Sequence, residues 1–253
     1  MKSENLHFKN SKGIKLSART DFPDDKKCLA TVLFAHCFTC SKNLKALGHI
    51  SRALTEQGIG VFRFDFTGLG SSGGEFTDST FSTDVKDIIA ASDYMKENWI
   101  APSILMGHSL GGAAILQSAS GISSAKAVAT IGSPCSPSHV EHLFEDNLQE
   151  IKKKGEARVI LAGRPFAINA QFIEDLNQQV MDEKIAGLNK ALLVFHSPVD
   201  ETVGIDNASR IFKMARHPKS FVSLDKADHL LTKEEDARYV GSVTAAWAHR
   251  YFS

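Results

Sequence analysis

Gly107-His108-Ser109-Leu110-Gly111-Gly112 follows an apolar run, Ser103-Ile104-Leu105-Met106, and leads into small helix-forming residues, Ala113-Ala114-Ile115-Leu116. A strand, a Gly-x-Ser-x-Gly turn and a helix in immediate succession describe a sharp elbow with a serine at its tip. Only small residues fit beside so tight a turn. The hydroxyl of Ser109 is thereby lifted away from the sheet. The N–H of Leu110 lies at a helix N-terminus, where negative charge is stabilised. Ser109 is then a candidate acyl acceptor; the alternative is a serine that only caps the helix. The first reading requires a base, an orienting acid and a second backbone donor elsewhere in the chain.

Bulk properties leave room for that reading. The chain has 253 residues, 43 % hydrophobic and 23 % charged, which suits one large α/β domain or two small ones. Acidic and basic residues number 29 each, so no overall field favours nucleic acid, an anionic membrane or a polyanionic substrate. The start, Met1-Lys2-Ser3-Glu4-Asn5-Leu6-His7, lacks an apolar h-region, and no secretory leader is expected. No apolar run approaches the length of a membrane span. The four cysteines, Cys28, Cys37, Cys40 and Cys135, are sparse and irregularly spaced. That fits a reducing cytoplasm better than a disulfide framework.

Apolar runs alternate with amphipathic stretches, the pattern of a parallel sheet wrapped by helices. Strands are expected near Leu6-His7-Phe8, over Ile14 to Ala18, and over Ala30 to Ala35, which is apolar enough to be buried on both faces. Further strands are expected at Val61 to Phe64, Ala127 to Ile131, Ala191 to Phe195 and Ser220 to Leu224. Helices are expected over Leu44 to Gln57, Thr80 to Asn98 and Asn207 to Met214. A closing helix is marked by Val240, Val243, Trp247 and Tyr251. The expectation is a doubly wound, mostly parallel sheet formed by residues 1–135 and 189–253, with its site at the carboxyl ends of the strands. Ser136 to Leu188 is too long for a simple crossover. It reads as a charged helix (His142 to Lys154), a hairpin (Arg158 to Leu161 with Pro165 to Ile168) and a helix from Gln171 to about Gln179. Residues 136–188 are therefore expected to form a small lid over the sheet; ordinary surface helices are the alternative.

Three segments just beyond strand ends supply the missing partners. Asp200 lies in the loop His196-Ser197-Pro198-Val199-Asp200, and His229 in Ala227-Asp228-His229-Leu230-Leu231. Asp225 and Asp228 compete with Asp200 for the acid role. Asp228 adjoins the histidine, so its side chain would diverge from the ring; Asp225 precedes it too closely to reach the far nitrogen with ease. The third segment is His36-Cys37-Phe38-Thr39-Cys40, where Phe38 is positioned to offer the second N–H. Two fixed donors aimed at a developing alkoxide are worth a few kcal/mol of barrier each. Asp65, Gly68 and Gly70 read as a structural turn beside the elbow. His36, Cys37, Phe166 and Phe172 are candidate pocket residues, with plain packing as the alternative for the two aromatic ones. Cys37 and Cys40 also form Cys-x-x-Cys. No second pair completes a zinc site, and His139 with His142 lacks a carboxylate partner; neither metal nor cofactor is expected.

These motifs, together with Phe64-Asp65-Phe66-Thr67-Gly68-Leu69-Gly70-Ser71-Ser72, resemble the α/β-hydrolase superfamily over nearly the whole chain. Phe34 to Leu69, Gly163-Arg164-Pro165-Phe166 and Asp200 to Leu231 resemble more closely the hydrolase half of bacterial proteins fused to an OsmC-type peroxidase domain. The chain is then a free-standing relative or one part of such a fusion. The placement of the lid is similar to that of feruloyl and cinnamoyl esterases. The resemblance implies a metal-free serine esterase in which Ser109 attacks, His229 is the base and Asp200 orients it, with Phe38 and Leu110 holding the oxyanion. The order Ser109, Asp200, His229 matches the superfamily. One departure is His36-Cys37, where most members carry His-Gly; a side chain there narrows φ and alters the shape of the hole. Short to medium carboxylic esters or small aromatic esters are the expected substrates. A peroxide-using acyltransferase and a non-catalytic binding module are the rival readings. A homodimer and a functional link to an OsmC-type domain are the protein partners left open.

Overall fold

Strands buried on both faces alternate their side chains between two cores, and the chain from Ala30 onward is built on that alternation. A computed structural model describes residues 1–24, 27–161 and 163–252. The strands are β1 (Lys2–Lys9), β2 (Lys15–Phe22), β3 (Ala30–Ala35), β4 (Ile59–Phe64), β5 (Ile104–His108), β6 (Ala127–Ile131), β7 (Glu156–Leu161), β8 (Arg164–Asn169), β9 (Ala191–His196) and β10 (Lys219–Ser223). The helices are α1 (Lys45–Glu56), α2 (Phe81–Asn98), α3 (Leu110–Ser118), α4 (Leu148–Lys154), α5 (Ala170–Asn177), α6 (Met181–Ala186), α7 (Asp206–Met214) and α8 (Glu234–Ala248). Eight strands form one sheet in the order β1-β2-β4-β3-β5-β6-β9-β10. β2 runs antiparallel to both β1 and β4; every other neighbouring pair is parallel. This is the α/β-hydrolase fold.

Along β3, Leu33 and Ala35 enter the core on the α2–α3 side, while Val32 and Phe34 enter the core beneath α1 and α8. The period of two is the geometric consequence of the pleat. The two edge strands, β1 and β10, escape full burial. β10 pairs only with β9, and Phe221 there is 42 % exposed. Among the described residues, no helix is long and apolar enough to cross a membrane.

Ser136 to Leu188 contributes no strand to the large sheet. The expected hairpin is present as β7 and β8, paired antiparallel from Glu156↔Asn169 to Leu161↔Arg164. β7 buries every second residue, so only one of its faces is covered. The expected charged helix is regular only from Leu148. Pro137–Asn147 forms 3-10 turns broken at Phe144 (φ −142°, ψ 30°), whose side chain is buried. The short α6 was not anticipated. It buries only Met181 and Ile185, too few positions to show a period. Tyr251 lies past the end of α8, in a separate 3-10 turn.

The segment is fastened to α2 by polar contacts. Asp175 accepts from the N–H of Ser82 at 2.7 Å and from its hydroxyl at 2.5 Å. That places a carboxylate on the first turn of α2, where free N–H groups and the helix dipole favour it. Asn169 reaches back to the carbonyl of Thr77 at 2.7 Å.

Two further acids on α2 are buried. Asp87 is satisfied by Asn10, the N–H of Thr67 and the hydroxyl of Thr67. Asp84 is not: its Oδ1 has no partner among the described residues. Burial, then the nearby Asp87 and Asp175 carboxyls, push the Asp84 carboxyl well above its ordinary range. Below the ordinary carboxylate range both folded and unfolded chains hold this proton. As pH rises through that range the unfolded chain releases it while the folded chain keeps it, so stability falls. Asp84→Asn should therefore stabilise the protein by on the order of 1–3 kcal/mol near pH 7.5, with the gain shrinking toward about pH 4. Thermal melts of both proteins at the two pH values check this; a pH-independent difference would mean that Asp84 ionises normally.

Candidate active site

The turn between β5 and α3 places Ser109 at φ 54°, ψ −127°, a region an L residue rarely occupies. Such strain costs of order 1–3 kcal/mol and persists only where the surroundings enforce it. Here the Ser109 N–H donates to the carbonyl of Ile131 at 2.8 Å, and its carbonyl accepts from Gly112 at 2.8 Å. A Cβ on Gly111 would stand 2.3 Å from the carbonyl oxygen of His36, and one on Gly107 would stand 2.4 Å from that of Gly111. The elbow thus closes only with glycine at both places. Backbone from the end of β3 lies directly against the start of α3.

Asp200 and His229 arrive from the ends of β9 and β10. Oδ1 of Asp200 accepts from the N–H groups of Thr202 and Val203, both at 2.9 Å. Oδ2 is left for Nδ1 of His229 at 2.7 Å. An ionised carboxylate only accepts, so Nδ1 carries the hydrogen and Nε2 presents its lone pair. Nε2 lies 2.9 Å from Oγ of Ser109. Burial works to raise the Asp200 carboxyl, but its bonds to His229, Val203 and Thr202 outweigh that and hold it below the ordinary value. The competing acids are elsewhere. Asp228 accepts from Leu230, Thr232 and the Thr232 hydroxyl, which shapes the histidine's own loop. Asp225 is exposed.

The loop after β3 brings Phe38 to the same rim. The N–H of Leu110 opens α3 and has no intrahelical acceptor, and the Phe38 N–H meets no protein acceptor among the described residues. Cys37 and Cys40 are joined by a disulfide, contrary to the expectation from sparse, irregular spacing. The turn itself brings them together: Cys40 N–H donates to the carbonyl of Cys37 at 3.1 Å. The residue at 37 does not take a positive φ; Thr39 does, at 59°. The backbone after His36 therefore does not demand glycine. Beneath this loop, buried Asp65 accepts from the N–H of Lys42 at 2.6 Å, its ammonium at 2.7 Å and the N–H of Ser71 at 2.9 Å. A Cβ at Gly70 would stand 2.3 Å from that carboxyl. The expected structural turn at Asp65, Gly68 and Gly70 is this knot.

A family model described as "Serine aminopeptidase, S33" matches residues 26–150. The crystal structure of the esterase domain from a Rhodothermus marinus protein is 49 % identical, covers 100 % of both chains and aligns with a TM-score of 0.82. The chain belongs to the α/β-hydrolase superfamily. Est1E from Butyrivibrio proteoclasticus, solved with ferulic acid bound, shares the fold at 20 % identity, covering 97 % of this hydrolase and 98 % of that chain with a TM-score of 0.79. The Salmonella typhi protein YfhR is 22 % identical over 222 residues, 83 % of this chain and 68 % of its own.

Two histidines of the hydrolase that the sequence did not single out support the row of three. His108 Nε2 donates to the carbonyl of His229 at 2.7 Å, with the two rings 5.0 Å apart. Burial, then His229, lowers the His108 pKa to about 3, so its ring is neutral. His196 Nε2 donates to the carbonyl of Val203 at 2.7 Å, and burial lowers its pKa as well. Both immediately precede or end a strand tip that carries a site residue. Neutral rings there brace the loops of His229 and Asp200 without adding a competing charge.

A cleft of about 500 Å³ opens above Ser109 and His229. Cys37 and Phe38 border it, as does the inserted segment through Leu143, Ile160 and Arg164. The other expected pocket residues do not line this cleft. His36 is buried and donates to the carbonyl of Cys37 at 2.8 Å. Phe172 is buried and stacks on Phe38 at 5.6 Å. Phe166 packs its edge on Phe76 at 5.0 Å. Neither Phe166 nor Phe172 lines the large cleft, because both rings are used to seat the insertion on the body. Among the described residues, no group of three or more His, Cys, Asp or Glu is arranged to hold a metal ion. Thiol titration of the denatured protein should find the two cysteines Cys28 and Cys135 free before reduction and all four after it; four free thiols in the unreduced protein would dismiss the Cys37–Cys40 bond.

Proposed function

We propose that this hydrolase is a serine carboxylesterase that works through an acyl-enzyme. The carrying observation is the unbroken row from Asp200 Oδ2 to His229 at 2.7 Å and from His229 to Ser109 Oγ at 2.9 Å. His229 takes the Ser109 proton as the oxygen attacks an ester carbonyl. Asp200 keeps the ring in the reactive tautomer and stabilises the imidazolium. The N–H groups of Phe38 and Leu110 hold the oxyanion. The imidazolium then protonates the departing alkoxide, leaving an ester on Ser109. A water deprotonated by His229 reverses the sequence and frees the acid.

Residues 136–188 act in this reading as the lid that roofs the cleft. The cleft's size and apolar border suit short to medium acyl chains or small aromatic esters. The likeness of the whole chain to a Rhodothermus marinus esterase domain supports the esterase assignment. The sequence likeness to OsmC-fused hydrolases supports a functional link to an OsmC-type peroxidase domain.

A fluorophosphonate probe should label wild type and not Ser109→Ala, and wild type should cleave para-nitrophenyl acetate and butyrate. A folded wild type that neither labels nor turns over these esters would favour a binding module. Asp200→Asn should lower kcat by about 10³–10⁴-fold, whereas Asp225→Asn should leave it near wild type; steady-state kinetics with para-nitrophenyl butyrate distinguish the two acids.

A further inference from the structure

The cleft above Ser109 carries a fixed charge that ester hydrolysis does not itself require. Arg164 at the start of β8 is the one Lys or Arg lining it, and no Asp or Glu lines it among the described residues. No carboxylate pairs with Arg164 among the described residues. The guanidinium is nevertheless held in place. Nη2 donates to the carbonyl of Thr39, and Cζ lies 5.4 Å from the centre of the Phe166 ring. One of its five N–H donors is committed to that carbonyl, which leaves a fork suited to a planar carboxylate. The surrounding wall includes Leu44, Val140, Leu143, Ile160 and Leu230.

The geometry points to an ester that bears a free carboxylate, separated from the scissile bond by an apolar body, with Arg164 as the residue that selects it. This rests on the esterase reading above and names the substrate class of the same site. Arg164 touches the part of the substrate that does not react. Its effect therefore falls on KM more than on kcat. Its bond to Thr39 also steadies the loop that carries Phe38, and the test must separate the two roles. Arg164→Gln removes the charge and leaves a neutral planar amide; Arg164→Lys keeps the charge and loses the fork.

Two substrate pairs locate the carboxylate. Mono-para-nitrophenyl adipate against para-nitrophenyl hexanoate places it on the acyl part. Meta-acetoxybenzoate against its methyl ester places it on the leaving group. In one pair, wild type should show the lower KM for the acid, and Arg164→Gln should raise that KM about tenfold. The neutral ester should change by no more than about twofold, and Arg164→Lys should fall between. Added salt should raise KM for the acid alone. Equal losses on acid and neutral esters would make Arg164 a structural support of the loop and overturn the assignment. So would a wild type that prefers the neutral ester in both pairs. Hydrolysis of the neutral esters reports separately on the esterase reading; if wild type cleaves neither class, that reading fails first.

Discussion

The contact between Gly111 and the carbonyl of His36 is the constraint on which the rest of the site depends. A Cβ there would stand 2.3 Å from that oxygen, so α3 can approach the end of β3 this closely only without a side chain. The approach does two things at once. It holds Ser109 in its strained conformation at the strand tip, and it sets the first N–H of α3 beside the loop that bears Phe38. The geometry of Ser109 and that of the Leu110 and Phe38 N–H groups are then not independent features. Both follow from one helix pressed against one neighbouring strand end.

Charge is handled differently on the two sides of the serine. Below the Phe38 loop, buried ions are paired: Lys42 with Asp65 at 2.7 Å and Arg63 with Asp21 at 2.8 Å. The Arg63 guanidinium also donates to the carbonyl of Lys42, which links both pairs to the loop. Breaking such a pair would strand a buried charge, so the loop has little freedom to drift. Around Asp200 and His229 the buried neighbours are neutral imidazoles instead. His108 and His196 donate to backbone carbonyls and carry no charge that would compete for Asp200. Asp200, the one carboxylate bonded to His229 among the described residues, therefore keeps its full electrostatic effect.

The inserted segment borders the cleft above Ser109 and His229. Its aromatic residues anchor it, Phe172 on Phe38 and Phe166 on Phe76, and Asp175 ties it to the head of α2. What remains facing the cleft is aliphatic apart from Arg164 and the histidines at 139 and 142. The same aromatic contacts thus connect the inserted segment to the Phe38 loop, so the wall of the cleft and the position of that loop share one structural support.

Short-range pattern was enough to read the sheet, the elbow and the order of the three site residues. β3, β5, β6 and β9 are apolar at nearly every position because they are covered on both faces. Gly-x-Ser-x-Gly marks a turn that local sterics alone restrict to small residues. Asp200 and His229 were visible because each follows a strand. The breaks in Pro137–Asn147, the short α6, the choice between packing and pocket lining for Phe166 and Phe172 and the cleft-facing position of Arg164 were not decided, because they depend on which distant surface each side chain meets. Asp200 was preferred to Asp225 and Asp228 on reach alone; the packed sheet brings Asp200, and neither of the others, to Nδ1 of His229, with β6 lying between the strands that carry the serine and the acid. Local residue chemistry determined what groups were available; only the packed sheet decided which of them meet, because hydrogen bonds of less than 3 Å between residues 29 and 120 positions apart require every intervening element to be in place.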